Sequence, residues 1–341
     1  MNYNAKIIVI AFPDTFVKMS DELICKFLPL VGLGTREYIK AGHAALVLIN
    51  EETGIAKYFD FGRYVTPNGR GRVRGMNTDV ELKIPFNAEF SENKKLENLD
   101  KFLLWLDAHP EKTHGSGRIL ASVCNHINFE KAEKHINTLQ SRGNVPYGAF
   151  AKEGSNCARF VTDTILASTN ETSIIKGLKW NYKFTPSTVG NVEKAACDST
   201  IFEVYEGKIC KFEGNALKEN LKNYFHKKKQ KNNAAHILPI LPENAQKLSG
   251  IGSNAWFELI KDESSSADLY IIKRYNELHN VDFEGVFYTS MGFSIYKPYE
   301  FVYDSHCEYC HVIQEGKTYR FDLLKFSKTA AISSMQKVHS A

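Results

Sequence analysis

The sequence predicts an α+β protein in two parts, and three observations carry that prediction. Strand-like apolar runs at 6–12, 42–49 and 54–62 are followed by segments of helical spacing at 95–108, 128–141 and 155–167. From residue 250 to 326 the pattern changes to strands and turns alone. Aromatic residues make up 12% of the chain, with 16 Tyr and 22 Phe, a composition that suits β-rich packing.

The elements follow in order. Ile7-Ile8-Val9-Ile10, interrupted by Pro13 and Asp14, reads as a buried first strand. Leu23, Ile24, Phe27 and Leu28 suit a short helix over Asp21–Leu30, ended by Gly32 and Gly34. Gly42–Ile49 is almost continuously apolar and Gly54–Gly62 is aromatic-rich, which predicts a hairpin of two buried strands. Thr66–Gly75, with Pro67, three glycines and three arginines, reads as a loop, and Val80–Phe90 as a strand. Leu96, Leu99, Phe102, Leu103 and Leu106 predict a helix over Lys95–Ala108, stopped by Pro110. Arg118–Val123 reads as a strand. Asn128 is placed to cap a helix to Ser141, with Gly143 as its stop. Ser155–Ala167 is a further helix, and the last dozen residues read as a frayed tail. The predicted divisions are a first domain over 1–200, a helical, charged linker over 201–245, a smaller β-rich domain over 246–328 and a tail over 329–341.

Composition excludes several classes. With 341 residues, 43% hydrophobic and 24% charged, the chain is ordinary globular material with enough length for a sizeable core. Seven cysteines are too few, and odd in number, for a secreted disulfide framework. A net charge of +4 is too mild for a dedicated nucleic-acid binder. The apolar run near the N-terminus is too short for a signal sequence, and no stretch approaches a membrane span. The expectation is a cytoplasmic protein with reduced thiols.

One cysteine stands apart. Cys157 lies in Gly154-Ser155-Asn156-Cys157-Ala158-Arg159-Phe160-Val161, where Ser155 or Asn156 can cap the helix and leave Cys157 in its first turn. The positive end of the helix and its free amides favour a thiolate there, the nucleophilic form. The bland reading is core filler, because free cysteine is among the most buried residues. A base is offered by His43, a polar ring at the start of an apolar strand among Gly42, Ala44 and Ala45; its bland counterpart is a satisfied core histidine. Asp60, the acid in Lys57-Tyr58-Phe59-Asp60-Phe61, is the candidate to orient that ring. With Asn50–Thr53 as a four-residue loop, Ile49 faces Gly54 and His43 faces Asp60 on one side of the sheet. Shifting the pairing by one residue puts Asp60 on the other face, and then Asp79 or Glu81 is the alternative.

The order Gly-His-Ala-Ala on an apolar strand, hairpin, then Asn-Cys-Ala-Arg-Phe-Val on a helix resembles the circularly permuted branch of the NlpC/P60 papain-like superfamily. That branch includes lecithin:retinol acyltransferase-like proteins. There the His strand precedes the Cys helix, as it does here. The resemblance covers roughly residues 1–190 and extends to the helix over 128–142 and to Val145-Pro146-Tyr147-Gly148. It implies a permuted papain-like domain with an antiparallel sheet and packed helices, Cys157 as nucleophile, His43 as base and Asp60 as orienter. The third residue is often His, Asn or Glu in relatives, so Asp60 departs from the pattern. Tyr147, Asn156 and Arg63 are the candidate substrate contacts, and no cofactor or metal is implied.

The implied reaction is thiol acyl transfer: a cysteine hydrolase (amidase or peptidase), with a lipid acyltransferase or thioesterase on the same dyad as one alternative and an inactive binding or scaffold module as another. The substrate is accordingly a peptide, an amide or an acyl lipid. Arg63, Arg70, Arg72 and Arg74 suit a carboxylate or phosphate, but the preferred reading is a solvated loop. Lys227–Lys231 reads as a solvated helix end. His306-Cys307-Glu308-Tyr309-Cys310-His311 contains half of a zinc motif, but no second Cys-x-x-Cys exists, so it reads as a turn and strand edge. The aromatics of the β-rich part read as core, with a role in covering the site or binding a partner protein left open.

Overall fold

The computed structural model describes residues 2–20, 22, 25, 27–183, 186–227, 238–263 and 269–326. The expected helix over Asp21–Leu30 falls partly outside these, as do most of the Lys227–Lys231 run and all of the tail. The chain is α+β and divides into two compact units. The first comprises Met1–Gly62, Gly69–Gly75 and Leu82–Lys231; the second comprises Arg63–Asn68, Met76–Glu81 and Asn232–Ala341.

The first unit is built on strands β1 (Ala5–Phe12), β2 (His43–Asn50), β3 (Ala56–Gly62), β4 (Arg70–Gly75), β5 (Ile119–Ile127), β6 (Val145–Pro146), β7 (Phe202–Tyr205) and β8 (Lys208–Lys211). They form one antiparallel sheet in the order β8-β7-β5-β1-β2-β3-β4-β6. All eight residues of β1 are buried, because the strand has neighbours on both sides and helices over both faces. One face carries Ile7, Val9, Ala11, Ala44, Leu46 and Leu48. It packs on helices α2 (Phe129–Gln140), α3 (Cys157–Ser168), α4 (Thr172–Asn181) and α5 (Thr188–Ala195) through Ile136, Phe160, Ile165, Leu178 and Val192. The opposite face, with Ile8, Ile10, Ala45, Val47 and Ile49, packs on α1 (Leu99–Ala108) through Phe102, Leu103 and Leu106. Period-2 strands between period-3.6 helices thus send alternate residues to separate cores. Each fully buried Ile or Leu contributes about 1.5–3 kcal/mol.

Four expectations are corrected. Arg70–Gly75 is strand β4 and no loop, because Arg-Gly-Arg-Val-Arg alternates and pairs Asp60 with Arg74. Val80–Phe90 is no strand: it holds a 3-10 turn at Val80–Leu82 and a single bridge from Phe90 to Leu96, since its upstream residues are drawn into the second unit. Residues 202–211 are no linker: β7 pairs with β5, Ile119 opposite Val204, and β8 closes the edge. The strand pattern is weak there because an edge hairpin buries one residue, Val204, and exposes Lys208, Cys210 and Lys211. Helix α6 (Ala216–Tyr224) follows, with Asn215 accepting from Lys218 N–H, so the first unit extends well past residue 200.

The second unit is an antiparallel seven-stranded sheet among the described residues, with β9 (Gln246–Leu248), β10 (Ala255–Lys261), β11 (Leu269–Tyr275), β12 (Val281–Thr289), β13 (Glu300–Val302), β14 (Tyr309–Gln314) and β15 (Lys317–Phe326). Their order is β9-β10-β11-β12-β15-β14-β13. Gln246 joins the two edges, donating to Tyr299 O at 3.0 Å and accepting from Phe301 N at 2.8 Å, so the sheet curls toward a barrel. Aromatic rings fill it edge to face, as in Tyr270 on Phe321 at 5.3 Å and 79°. The buried Arg274 binds Asp79 at 3.1 Å, Glu81 at 2.5 Å and Asp282 at 2.9 Å, tying Met76–Glu81 into this unit.

Candidate active site

The nucleophile candidate is placed by its helix start. Asn156 is the N-cap of α3, with extended backbone and a side chain accepting from Arg159 N–H at 2.8 Å. Cys157 is therefore the first helical residue, buried, where the leading amides of the helix are free of intrahelical partners. The approach is held tightly. Ser155 N–H donates to Pro146 O at 3.1 Å and Gly148 N–H to Ser155 O at 3.0 Å. Gly154 has no room for a side chain, since a Cβ there falls 2.1 Å from Pro146 O. Arg159 donates to Ala151 O at 2.9 Å and to the Tyr182 hydroxyl at 3.0 Å, so one cation pins the loop before the cysteine.

His43 opens β2 and is 6% exposed, its ring stacked 6.0 Å from that of its cross-strand partner Phe12. Gly42 precedes it with φ +77, and a Cβ there meets Thr188 Oγ1 at 2.8 Å, so the turn into the strand requires glycine. His43 Nε2 lies 3.3 Å from Asp60 Oδ2, and the ring also hydrogen-bonds the Cys157 thiol. Asp60 is fully buried. It accepts from Arg74 through both oxygens, Nε to Oδ1 at 3.0 Å and Nη2 to Oδ2 at 2.5 Å, and from the Tyr58 hydroxyl at 3.1 Å. Arg74 in turn donates to Lys112 O at 3.1 Å.

The electrostatics follow from these partners. Burial alone disfavours the Asp60 carboxylate, but the Arg74 charge and the bonds from His43 and Arg74 outweigh it and hold Asp60 well below the usual carboxylate range. Burial likewise lowers His43, and the hydrogen bonds to Asp60 and Cys157 reverse the sign and raise it to about 9. The site therefore carries an ionised Asp60 and a ring that holds its proton at neutral pH.

The structure brings Cys157, His43 and Asp60 together, but not by the expected register. Ala45, not His43, stands opposite Asp60, because the connection runs from Asn50 to Ala56, longer than four residues, closed by Asn50 N–H to Ile55 O at 3.0 Å. The slip is two residues, so parity survives and His43 reaches Asp60 diagonally on the same face. Tyr147 stacks on Phe61 at 6.0 Å and 13°, and its N–H donates to Gly69 O at 2.8 Å. Arg63 is buried in the second unit, where its carbonyl accepts from Gly252 N–H at 2.8 Å. Asp79 and Glu81 bind Arg274 there, which removes them as orienters. The arginine segment is no solvated loop: Arg72 and Arg74 are buried and Arg70 bonds Asn144. Cys307 and Cys310 are both buried, and burial pushes Cys310 up to about 12. Among the described residues no group of three or more His, Cys, Asp or Glu is arranged to hold a metal ion. No described helix is long and apolar enough to cross a membrane.

The roles of three neighbours escaped the sequence reading. Arg74 was signalled by its alternation with Arg70 and Arg72, and Tyr58 by its place two residues before Asp60 on one strand face. Tyr224 had no local signal. Its hydroxyl, at the end of α6, is pushed up by burial and, less strongly, by Cys157.

No curated protein matches the chain. Residues 245–324 match the DUF6695 C-terminal domain. A crystal structure of the Type VI secretion system effector TseH is similar at 22% identity with a TM-score of 0.40, covering 62% of this chain and all of that one. The segment that carries His43, Asp60 and Cys157, residues 7–174, is similar to the Type VI secretion system effector TseH-like family.

Proposed function

We propose that the first unit is a cysteine hydrolase of the permuted NlpC/P60 papain-like kind, cleaving an amide or peptide bond in the role of a secreted effector. The observation that carries the reading is the His43 ring, which hydrogen-bonds both Asp60 and Cys157. The similarity of residues 7–174 to effector proteins supports the effector role, and with it a site of action outside the producing cell.

The steps follow from the geometry. The Cys157 proton rests on His43, giving a thiolate–imidazolium pair, and Asp60 stabilises the imidazolium. The thiolate attacks the acyl carbon, and amides at the start of α3 receive the developing oxyanion. His43 returns its proton to the leaving amine, giving an acyl-thioester. Water, deprotonated by His43, releases the acid. Arg74 and Tyr58 keep Asp60 charged and fixed, so they are positioning residues.

A second reading, acyl transfer to or from a lipid, rests on exposed Phe27, Leu30, Val31, Leu221 and Phe225, with Gly34 N–H bonded to Tyr224 O at 2.8 Å linking these segments. One assay separates the two. The chain is offered peptide amides and fatty-acyl thioesters side by side, with Cys157→Ala as the blank. Amide turnover lost in Cys157→Ala supports the hydrolase; turnover of long acyl chains alone supports the second reading. A thiol that iodoacetamide labels no faster than free cysteine, unchanged in His43→Ala, sinks both.

A further inference from the structure

We infer that Cys197 and Cys124 form a redox-active dithiol that exchanges with small disulfides, bonding the chain just after α5 to strand β5. This stands whether or not Cys157 is a nucleophile.

Cys124 lies on β5 opposite Ile7, fully buried in the core. Cys197 is half-buried against the same core. Its N–H donates to Val123 O at 3.4 Å, which lays the segment after α5 along β5 and sets the two cysteines side by side. Each thiol acts on the other's proton affinity. Asn125 N–H donates to Cys197 Sγ at 3.1 Å, His126 Nδ1 stands 3.3 Å away, and Ala195 O lies 3.8 Å from it. His126 is itself held by the edge contact of Tyr3 at 5.2 Å.

The two sulfurs are unlike in a useful way. The Cys124 thiol lowers Cys197, and Asn125 and His126 add to this against burial. The Cys197 thiol, and then burial, push Cys124 up. An accessible sulfur that favours thiolate beside a buried one that keeps its proton is the division between attacking and resolving thiols. None of the other five cysteines is shown with this set of donors.

The exchange balances. The Cys197 thiolate attacks one sulfur of a small disulfide; that bond breaks, a mixed disulfide forms, and one half leaves as thiolate and takes a proton from solvent. Cys124 attacks the Cys197 sulfur, the mixed disulfide breaks, and the second half leaves and takes up the proton that Cys124 gives up. Two protein thiols are oxidised and one disulfide is reduced to two thiols. The new bond spans β5 and α5 and closes a loop that contains α3.

The test uses the full chain carrying Cys157→Ala, so that the site thiol takes no part. Reduced protein is labelled with iodoacetamide at pH 7, and a second sample is treated with glutathione disulfide and mapped by mass spectrometry without reduction. The expected results are labelling of Cys197 at least tenfold faster than of exposed Cys210, and a linked peptide pair joining 124 and 197. Cys124→Ala is expected to stop at a mixed disulfide on Cys197, and His126→Gln to slow the first step. Equal labelling of Cys197 and Cys210, or a persistent mixed disulfide in the chain with Cys124 intact, overturns the inference. Mapping needs no change at Cys124, so it decides the matter even where that variant fails to fold.

Discussion

Asp60 is a fully buried carboxylate with three donor residues, and its worth depends on which donor is removed. Arg74→Met leaves a buried anion facing a single cation, His43. Breaking such a pair from one side costs about 3–5 kcal/mol, and chemical denaturation is expected to read a loss of that order. Asp60→Asn leaves Arg74 unpaired and also frees the His43 ring to turn, so stability and activity fall together. Tyr58→Phe removes one neutral donor and is expected to cost about 1 kcal/mol with the site otherwise intact. The pH dependence has a definite sign. His43 is raised from 6.5 to about 9, so its stabilising contribution is complete below pH 6.5 and disappears as pH rises through 9. The melting-temperature gap between the native chain and His43→Gln is therefore expected to shrink between pH 6.5 and pH 9; a gap that widens contradicts the Asp60–His43 pairing. At this scale the three principal residues were legible because each is a polar group in an apolar setting. Tyr224 was not, because it arrives from a helix far along the chain.

Element geometry decides how those residues meet. Asn156 caps α3 and fixes where the helix starts, so Asn156→Ala is expected to lose about 1 kcal/mol by denaturant titration, while Asn156→Asp or Asn156→Ser keeps most of it. If the cap also sets the thiol, iodoacetamide labelling of Cys157 slows in Asn156→Ala more than in the two conservative variants. Gly42→Ala forces a side chain into a φ of +77 and against Thr188, and is expected to destabilise the start of β2. The β2–β3 hairpin shows which part of a strand prediction is robust. The loop was read two residues short, yet period-2 alternation kept His43 and Asp60 on one face. A one-residue insertion in Asn50–Ile55 that shifts β3 by one has no such protection, and is expected to abolish site labelling. Element reading failed at Arg70–Gly75 and 202–211 for a common reason. Strands near a sheet edge bury few apolar side chains, so glycines, arginines and lysines mask the alternation.

On the scale of the whole molecule, two compact units, each with its own buried apolar core, predict two melting events. Arg274 is enclosed with Asp79, Glu81 and Asp282, so Arg274→Leu strands buried carboxylates in the second unit. Calorimetry is expected to show one transition falling sharply and the other little changed; a single cooperative peak shifting as a whole contradicts two independent cores. The β-rich texture after residue 250 was plain in the sequence, but the boundary was not, because the second unit also takes Arg63–Asn68 and Met76–Glu81. These are short polar segments whose partners lie nearly two hundred residues on, beyond the reach of any local pattern. By itself the sequence determined the α+β class, the central strands, the capped helix that opens on Cys157 and the order of histidine before cysteine. Those are set by side-chain period, capping and the cost of leaving a polar group unpaired, all local quantities. Only the tertiary structure decided the register of the hairpin, the arginine that neutralises Asp60, the unit to which Arg63, Asp79 and Glu81 belong, and the meeting of Cys124 with Cys197. Each of these depends on where distant segments come to lie, and burial, which makes their charges matter, exists only once the chain has folded.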